Sequence, residues 1–331
     1  MATRFSDGWG GDRSGPTATK PDNAPLGALW MDETLKQVFM QTGDGMELLG
    51  AIPRSTLYVD SATGSDSNNG SSWDDPLLTI TAAVAAAEAD GTILIRGSFN
   101  EAVTSSLSGL RILGVGTGPK RAQWTAPTVA GSWCLKLAAD YQQVGNIYFR
   151  PVTYTTSGIP SGIHLAGANW ASIYGCRFHG KTGSYKAIYS PAADSDNVHI
   201  QDNEFYYLNT ATHGAGIWLV EAGGLSYSGW QIRRNVFSSC VTAISMAARA
   251  CVLEGNHILI NGVTAAGALD AVCTLGINLR GANNAASNGA NAVHGNYLGG
   301  TYSESLYKDA ANDDWAGNFN IAGITGANPA P

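Results

Sequence analysis

Four carboxylates stand where they could do chemistry: Asp202, Glu204, Glu221 and Glu254. Glycoside hydrolysis needs two such groups, and their separation sets the stereochemical outcome. Aligning the segments around them assigns two of the four a different task. Glu204 falls at the position that Arg177 holds one repeat earlier, and Asp202 at the position that Arg234 holds one repeat later. Opposite charges stacked on neighbouring strands support pairing modestly. These two are therefore expected to be ion-paired, and no catalytic residue is assigned. A second acidic group, Asp60, Asp66, Asp74 and Asp75, lies near Gly64 and Gly70. Its spacing is not that of a calcium-binding helix-loop-helix, and polar turns account for it. The His residues show neither HxH nor HExxH spacing. The five Cys form no CxxC pair and mostly sit in apolar strand patterns, where Cys acts as a small core residue. No metal and no cofactor are expected. There is no phosphate-cradling Gly loop and no GxSxG elbow.

The elements that position these groups are read from repetition. The stretch 196–205, Asp-Asn-Val-His-Ile-Gln-Asp-Asn-Glu-Phe, alternates apolar residues and ends in Asn, one variable residue and Phe. Copies place a key residue at 146, 176 (Cys instead of Asn), 203, 235, 256, 296 and 318, a spacing of 21 to 40 residues. A second register, small-Ile-x-apolar, interleaves with it at Gly162-Ile163-His164-Leu165, Ala187-Ile188-Tyr189-Ser190, Gly216-Ile217-Trp218-Leu219, Ala243-Ile244-Ser245-Met246 and Gly276-Ile277-Asn278-Leu279. Period-two alternation makes each copy a strand. Self-similarity at this interval marks a solenoid, and strands returning in the same order stack in parallel as a β-helix. The turn Asn residues are expected to stack as a hydrogen-bonded ladder. In the second register Ile and the last apolar residue point inward, so the x residues His164, Tyr189, Trp218, Ser245 and Asn278 face out. Glycan stacking, a subunit interface rich in Tyr and Trp, and shielding by a loop all remain open for the ring residues His164, Tyr189 and Trp218.

Composition agrees. Gly is abundant (41), charged residues are 14% and 44% are hydrophobic, which suits short strands and tight turns. The net charge of -7 argues against a broad nucleic-acid-binding surface. No apolar run is long enough to span a bilayer. The first residues lack an apolar signal core, so no secretion signal is expected.

Along the chain, residues 1–56 read as a Gly/Pro-rich arm and a small meander over Gly27–Asp32, Gln37–Gln41 and Met46–Leu49. Such an arm is mobile unless tied down, so docking against a partner or a neighbouring subunit is expected. Residues 57–320 form the solenoid, with a capping helix near 78–89. Ala- and Asn-rich loops leave the coil at Gly262–Asp270 and Gly281–Gly289, and 321–331 is a tail.

Residues 57–101 carry a resemblance. Leu57-Tyr58-Val59-Asp60, the turns at Gly64-Ser65-Asp66 and Asn69-Gly70, the Ala-rich run Ala82–Ala89 and Thr92-Ile93-Leu94-Ile95 resemble the opening of right-handed parallel β-helices of the pectate-lyase-like superfamily. The fold class implied is all-β, a right-handed parallel β-helix with a short N-terminal arm. No coil sets two or three Asp beside an Arg, so calcium-dependent pectate cleavage is not implied. In the arm, Pro25 to Asp32, Val38-Phe39 and Thr42-Gly43-Asp44-Gly45-Met46 look like a short module near the N-termini of tailed-phage virion proteins. That resemblance implies a structural protein at the virion surface: a homotrimeric capsid decoration, fibre or spike component. It would be held to a capsid or tail protein through residues 1–50, with Trp9, Leu29, Trp30 and Phe39 in the attachment arm. The alternative is a tail spike that binds and cleaves host surface polysaccharide as a glycoside hydrolase or polysaccharide lyase. Neither nucleic acid nor membrane is an expected partner.

Overall fold

The computed structural model describes residues 56–116, 122–125, 133–150, 161–180, 185–190, 195–206, 208, 214–220, 227–259, 273–279, 289–299 and 313–320. Of Arg13–Gly15, Leu29–Asp32, Gln37–Thr42, Gly45–Ala51 and Tyr302–Lys308 it describes the strand backbone. Trp9, Glu221, the tail 321–331 and nearly all of the two expected loops lie outside the described residues.

Among the described residues, three long parallel sheets wrap one core, and Tyr227–Ser228 pairs with Ala248–Arg249 in a short fourth. Sheet I has ten strands, from Thr56–Asp60 to Asp314–Ala316. Sheet II has nine, from Ser98–Asn100 to Phe319–Asn320. Sheet III has eight, from Val103–Ser105 to Tyr302–Lys308. Each coil visits I, II and III in turn, and the chain is a parallel β-helix. The expected alternation holds: Ile163, Ile188, Ile217, Ile244 and Ile277 form one inward column of sheet III. In sheet II the inward column is aromatic. Trp124, Phe149, Phe178, Phe205 and Phe237 are fully buried, and successive ring centres lie 5.9, 5.0, 4.9 and 4.6 Å apart.

The corner between sheets I and II carries the Asn ladder. Each Asn oxygen accepts from the backbone N–H of the rung before it, beginning with Cys176 N to Asn203 Oδ1 at 2.9 Å. Asn203, Asn235, Asn256, Asn296 and Asn318 follow. From Asn203 to Asn296 each Nδ2 donates both to the next rung's oxygen and to a backbone carbonyl, so every amide hydrogen is satisfied. Asn146 is not a rung. Tyr148 pairs with Arg177, which puts Ile147 in the slot of Cys176. Asn146 instead shares the preceding slot with Gly175, Asp202, Arg234, Gly255, Gly295 and Gly317, all at φ between 52° and 63°. Asn tolerates that left-handed backbone, which is why it sits there, and its amide donates to Gly114 O and Gly116 O.

The capping helix is shorter than expected, Ile80–Ala86. Thr79 is its N-cap, Ile80 and Ala83 are buried, and Ala87 is already extended. Asp66 accepts from Leu78 N, Thr79 N and Thr79 Oγ1, and Glu101 accepts from Ile80 N and Thr81 N. Asp60 is buried against Ala62 N, Thr63 and Arg96 Nε. The acidic group near Gly64 therefore organises the cap and its entry turn. Before the cap in the chain, Leu29–Asp32, Gln37–Thr42 and Gly45–Ala51 form the antiparallel meander, and Arg13–Gly15 adds a parallel fourth strand. No strand of this sheet pairs with a described coil strand. Among the described residues no helix is long and apolar enough to cross a membrane.

Candidate functional site

The carboxylates come first. Asp202 is held by Arg234 through Nε–Oδ1 and Nη2–Oδ2, both 2.7 Å. The bidentate hydrogen bond is the main cause keeping its carboxyl below the usual range. Glu204 lies in register with Arg177 and takes its Nε at 2.6 Å. Glu254, which sequence alignment did not pair, lies in register with Arg233 at 3.4 Å. All these side chains are one-third to three-fifths exposed, so each pair contributes little to stability. They do, however, occupy the three described candidate carboxylates.

Sheet III brings together His164, Tyr189 and Trp218 in one outward column, with Lys136 before them. The rings are half-buried and turned on each other. Trp133 packs on His164 at 5.0 Å, and His164 meets Tyr189 edge-on at 5.6 Å. Lys186 lies in the adjoining outward column, only 2% exposed. Its ammonium sits 4.1 Å from the Trp218 ring centre and 4.9 Å from that of Tyr189. The column continues through Ser245 and Asn278, but both are buried, the Asn278 amide lying 3.5 Å from the Ser245 hydroxyl. Outward direction thus does not mean exposure here. His164 packs against Trp133 and Tyr189, and Lys186 lies against Tyr189 and Trp218, which narrows the ring surface left for stacking.

Burial pulls Lys186 down to about 7, and burial with the nearby Lys136 charge pulls His164 down to about 4. The ring quadrupoles beside Lys186 favour its charge and offset part of that cost. Both groups are bases with depressed folded-state values, so the unfolded chain binds more protons across each interval. Stability therefore rises with pH from about 4 to 6.5 through His164 and from about 7 upward through Lys186. Lys186→Met should raise stability at pH 7 by about 1–3 kcal/mol and flatten its dependence between pH 7 and 9. Denaturant unfolding at both pH values checks this; an equal slope in wild type and variant would contradict it.

Sequence reasoning missed a third cluster, on the outer face of sheet II. Tyr148, His179 and Tyr206 flank the buried Phe149, Phe178 and Phe205. The Tyr206 hydroxyl donates to the Tyr148 hydroxyl at 3.0 Å, and the His179 and Tyr206 rings are 4.7 Å apart. Arg177 lies 5.4 Å over Tyr206 and Arg150 5.6 Å over Tyr148. Burial, then the bond to Tyr148, push the Tyr206 phenol far up, so it stays protonated at neutral pH. The cluster offers phenol hydroxyls, an imidazole and guanidinium groups: donors suited to an anionic or polyhydroxylated ligand. The signal was present in the residues on either side of each Phe, which period two must turn outward.

These coils, the capping helix and the inward ladders define a parallel β-helix. No family model matches the chain, and no curated protein matches it in sequence. Among solved structures, an alginate lyase from Paenibacillus sp. str. FPU-7 is similar at 13% identity and TM-score 0.54, over 81% of this chain and 95% of that one. The pectate lyase Pel9A matches at 13% identity and TM-score 0.46, over 83% and 82%. A tailspike of the Acinetobacter baumannii bacteriophage Fri1, a capsular polysaccharide depolymerase, matches at 10% and TM-score 0.38, over 93% and 70%. At 13% identity the likeness to the alginate lyase is one of fold.

Proposed function

We propose that the chain is a structural component of a tailed-phage virion, a β-helical fibre, spike or capsid decoration protein at the particle surface. It is held to a capsid or tail protein through residues 1–50 and assembles as a homotrimer. The observation that carries this reading is the sheet formed by strands between Arg13 and Ala51, which pairs with none of the described coil strands. It falls on the stretch, Pro25 to Met46, that resembles a virion attachment module. The arginine partners of Asp202, Glu204 and Glu254 support a scaffold role for the coils rather than carboxylate catalysis. Particles assembled with a chain lacking residues 1–50 should not carry the protein, although its far-ultraviolet spectrum stays that of the coils. Unchanged incorporation would overturn attachment through this segment, and a single-chain mass in sedimentation would remove the trimer.

A second reading, cleavage of host surface polysaccharide, is favoured by a separate observation. Tyr148, His179, Tyr206 and Arg177 converge on one outward face without using a free carboxylate.

A further inference from the structure

Where each coil leaves sheet III and turns into sheet I, one residue adopts a left-handed backbone. Asp90, Gly109, Tyr141, Trp170, Asn197, Gly229, Ala250 and Ala290 hold this corner in successive coils, with φ between 51° and 69°. From Asp90 to Ala250 the N–H of each donates to the carbonyl just before the next, as in Tyr141 N to Asn169 O and Trp170 N to Asp196 O, both within 2.9 Å. Asp, Gly and Asn are the residues this conformation favours; a bulky side chain there is strained. Ala250 and Ala290 depart from that preference with a single methyl group, whereas Tyr141 and Trp170 place large rings there in adjacent coils, and the core gains nothing by it. Tyr141 is 56% exposed and Trp170 48%. Their rings are nearly parallel, 9° apart in plane, with centres separated by 6.3 Å.

What surrounds the rings is polar. Two residues further along each coil, Arg111, Gln143, Ser172 and His199 form an outward column of sheet I in direct register. On the other side stand Asp140 and Asp196, each with one carboxylate oxygen accepting a backbone N–H, from Asn169 and Ser228. A protein interface of ordinary size covers about 800 Å² on each partner around an apolar core. Two rings with a polar rim do not supply that core. They match a smaller ligand with an apolar face and a polar edge, which describes a pyranose ring.

We propose that Tyr141 and Trp170 form a stacking platform for a neutral oligosaccharide, with its hydroxyls met by Gln143 and Ser172. Three carboxylates line this corner, Asp90, Asp140 and Asp196, against the one guanidinium of Arg111 beside Gln143, and that balance sets the platform against uronate or sulfated chains. This surface is distinct from the self-packed rings of sheet III and from the Tyr206 cluster, and the inference is independent of how the chain attaches.

The test uses the full chain titrated with oligomers of N-acetylglucosamine and of β-linked glucose, and with oligogalacturonate as the anionic contrast. Calorimetry reads binding and thermal unfolding reads the fold. Tyr141→Asn and Trp170→Asn place at each corner the residue type that Asn197 already provides one coil on. The wild type should bind at least one neutral oligomer in preference to oligogalacturonate. Each variant should lose about tenfold in affinity or more, equivalent to about 1.4 kcal/mol, while its thermal midpoint stays level or rises as the strain is relieved. The proposal is overturned if the wild type binds no neutral oligomer, or if the variants bind as it does. A clear fall in midpoint in both variants would also overturn it, because the rings would then serve the fold.

Discussion

Asn235→Ala should lower unfolding free energy by about 3–5 kcal/mol. Asn235 is fully buried in the middle of the ladder. Its Oδ1 accepts from both Asn203 N and Asn203 Nδ2, each at 3.0 Å, and its Nδ2 donates to Ile200 O at 2.9 Å. Truncation removes four hydrogen bonds at once, taking the acceptor from two buried donors of Asn203 and a donor from Ile200 O and Asn256 Oδ1, and a buried group left unpaired costs about 1–3 kcal/mol. Asn235→Asp keeps the acceptor but loses the donor and buries a charge, so it should not rescue. Asn318→Ala, at the last rung and only partly buried, should cost about 1 kcal/mol because water can replace the lost oxygen. Chemical denaturation of the three variants checks the ranking. Equal losses at Asn235 and Asn318 would mean that burial, and hence the ladder, does not set the cost. Because each coil touches only its neighbours, the middle variant is also expected to divide the solenoid into parts that melt separately.

Phe205→Ala is the other large effect, about 3–5 kcal/mol from lost burial and the cavity left behind. Phe205 has no exposed surface and lies between Phe178 at 4.9 Å and Phe237 at 4.6 Å, with ring planes within 6° of each other. Two stacked contacts go with the ring, each worth about 0.5–1.5 kcal/mol beyond its area. Phe205→Leu keeps most of the volume and should cost less than about 2 kcal/mol. The difference between the two, read from denaturant midpoints at constant slope, isolates the column. A Phe205→Ala loss below about 1 kcal/mol would show that the neighbouring coils collapse into the gap.

Much of this was legible in the sequence, for a physical reason. A parallel β-helix repeats one environment in every coil, so a residue can be judged against its counterparts above and below. That comparison put Arg177 beside Glu204 and Arg234 beside Asp202 before any coordinates, and the geometry closes both pairs. It slipped by one residue at Asn146, because Asn serves both as a ladder rung and as a left-handed corner. The sequence shows the residue type without the φ that separates the two uses. Exposure was less legible than direction. Ser245 and Asn278 lie in the outward column yet are buried, and His164, Tyr189 and Trp218 are half-buried, His164 packed edge-on with Tyr189 and Lys186 lying against Tyr189 and Trp218. Tyr141 and Trp170 drew no notice, since nothing in their local sequence marks a corner that ordinarily belongs to Gly, Asn or Asp. Glu254 escaped pairing because Arg233, its partner, precedes the corner residue Arg234 that the alignment had already assigned.

The account rests on the outward faces being scaffold and contact surface rather than an active site. Sheet I and sheet II carry the three ion-paired carboxylates, and sheet II also carries the Tyr148–Tyr206 pair. The most direct measurement is product release: purified protein incubated with the surface polysaccharide of the host, followed by size separation and ultraviolet absorbance for unsaturated ends. The account predicts that the polysaccharide keeps its length. Oligosaccharide release abolished by Glu204→Gln would contradict it in favour of carboxylate hydrolysis, and release abolished by Tyr206→Phe in favour of elimination at the phenol cluster.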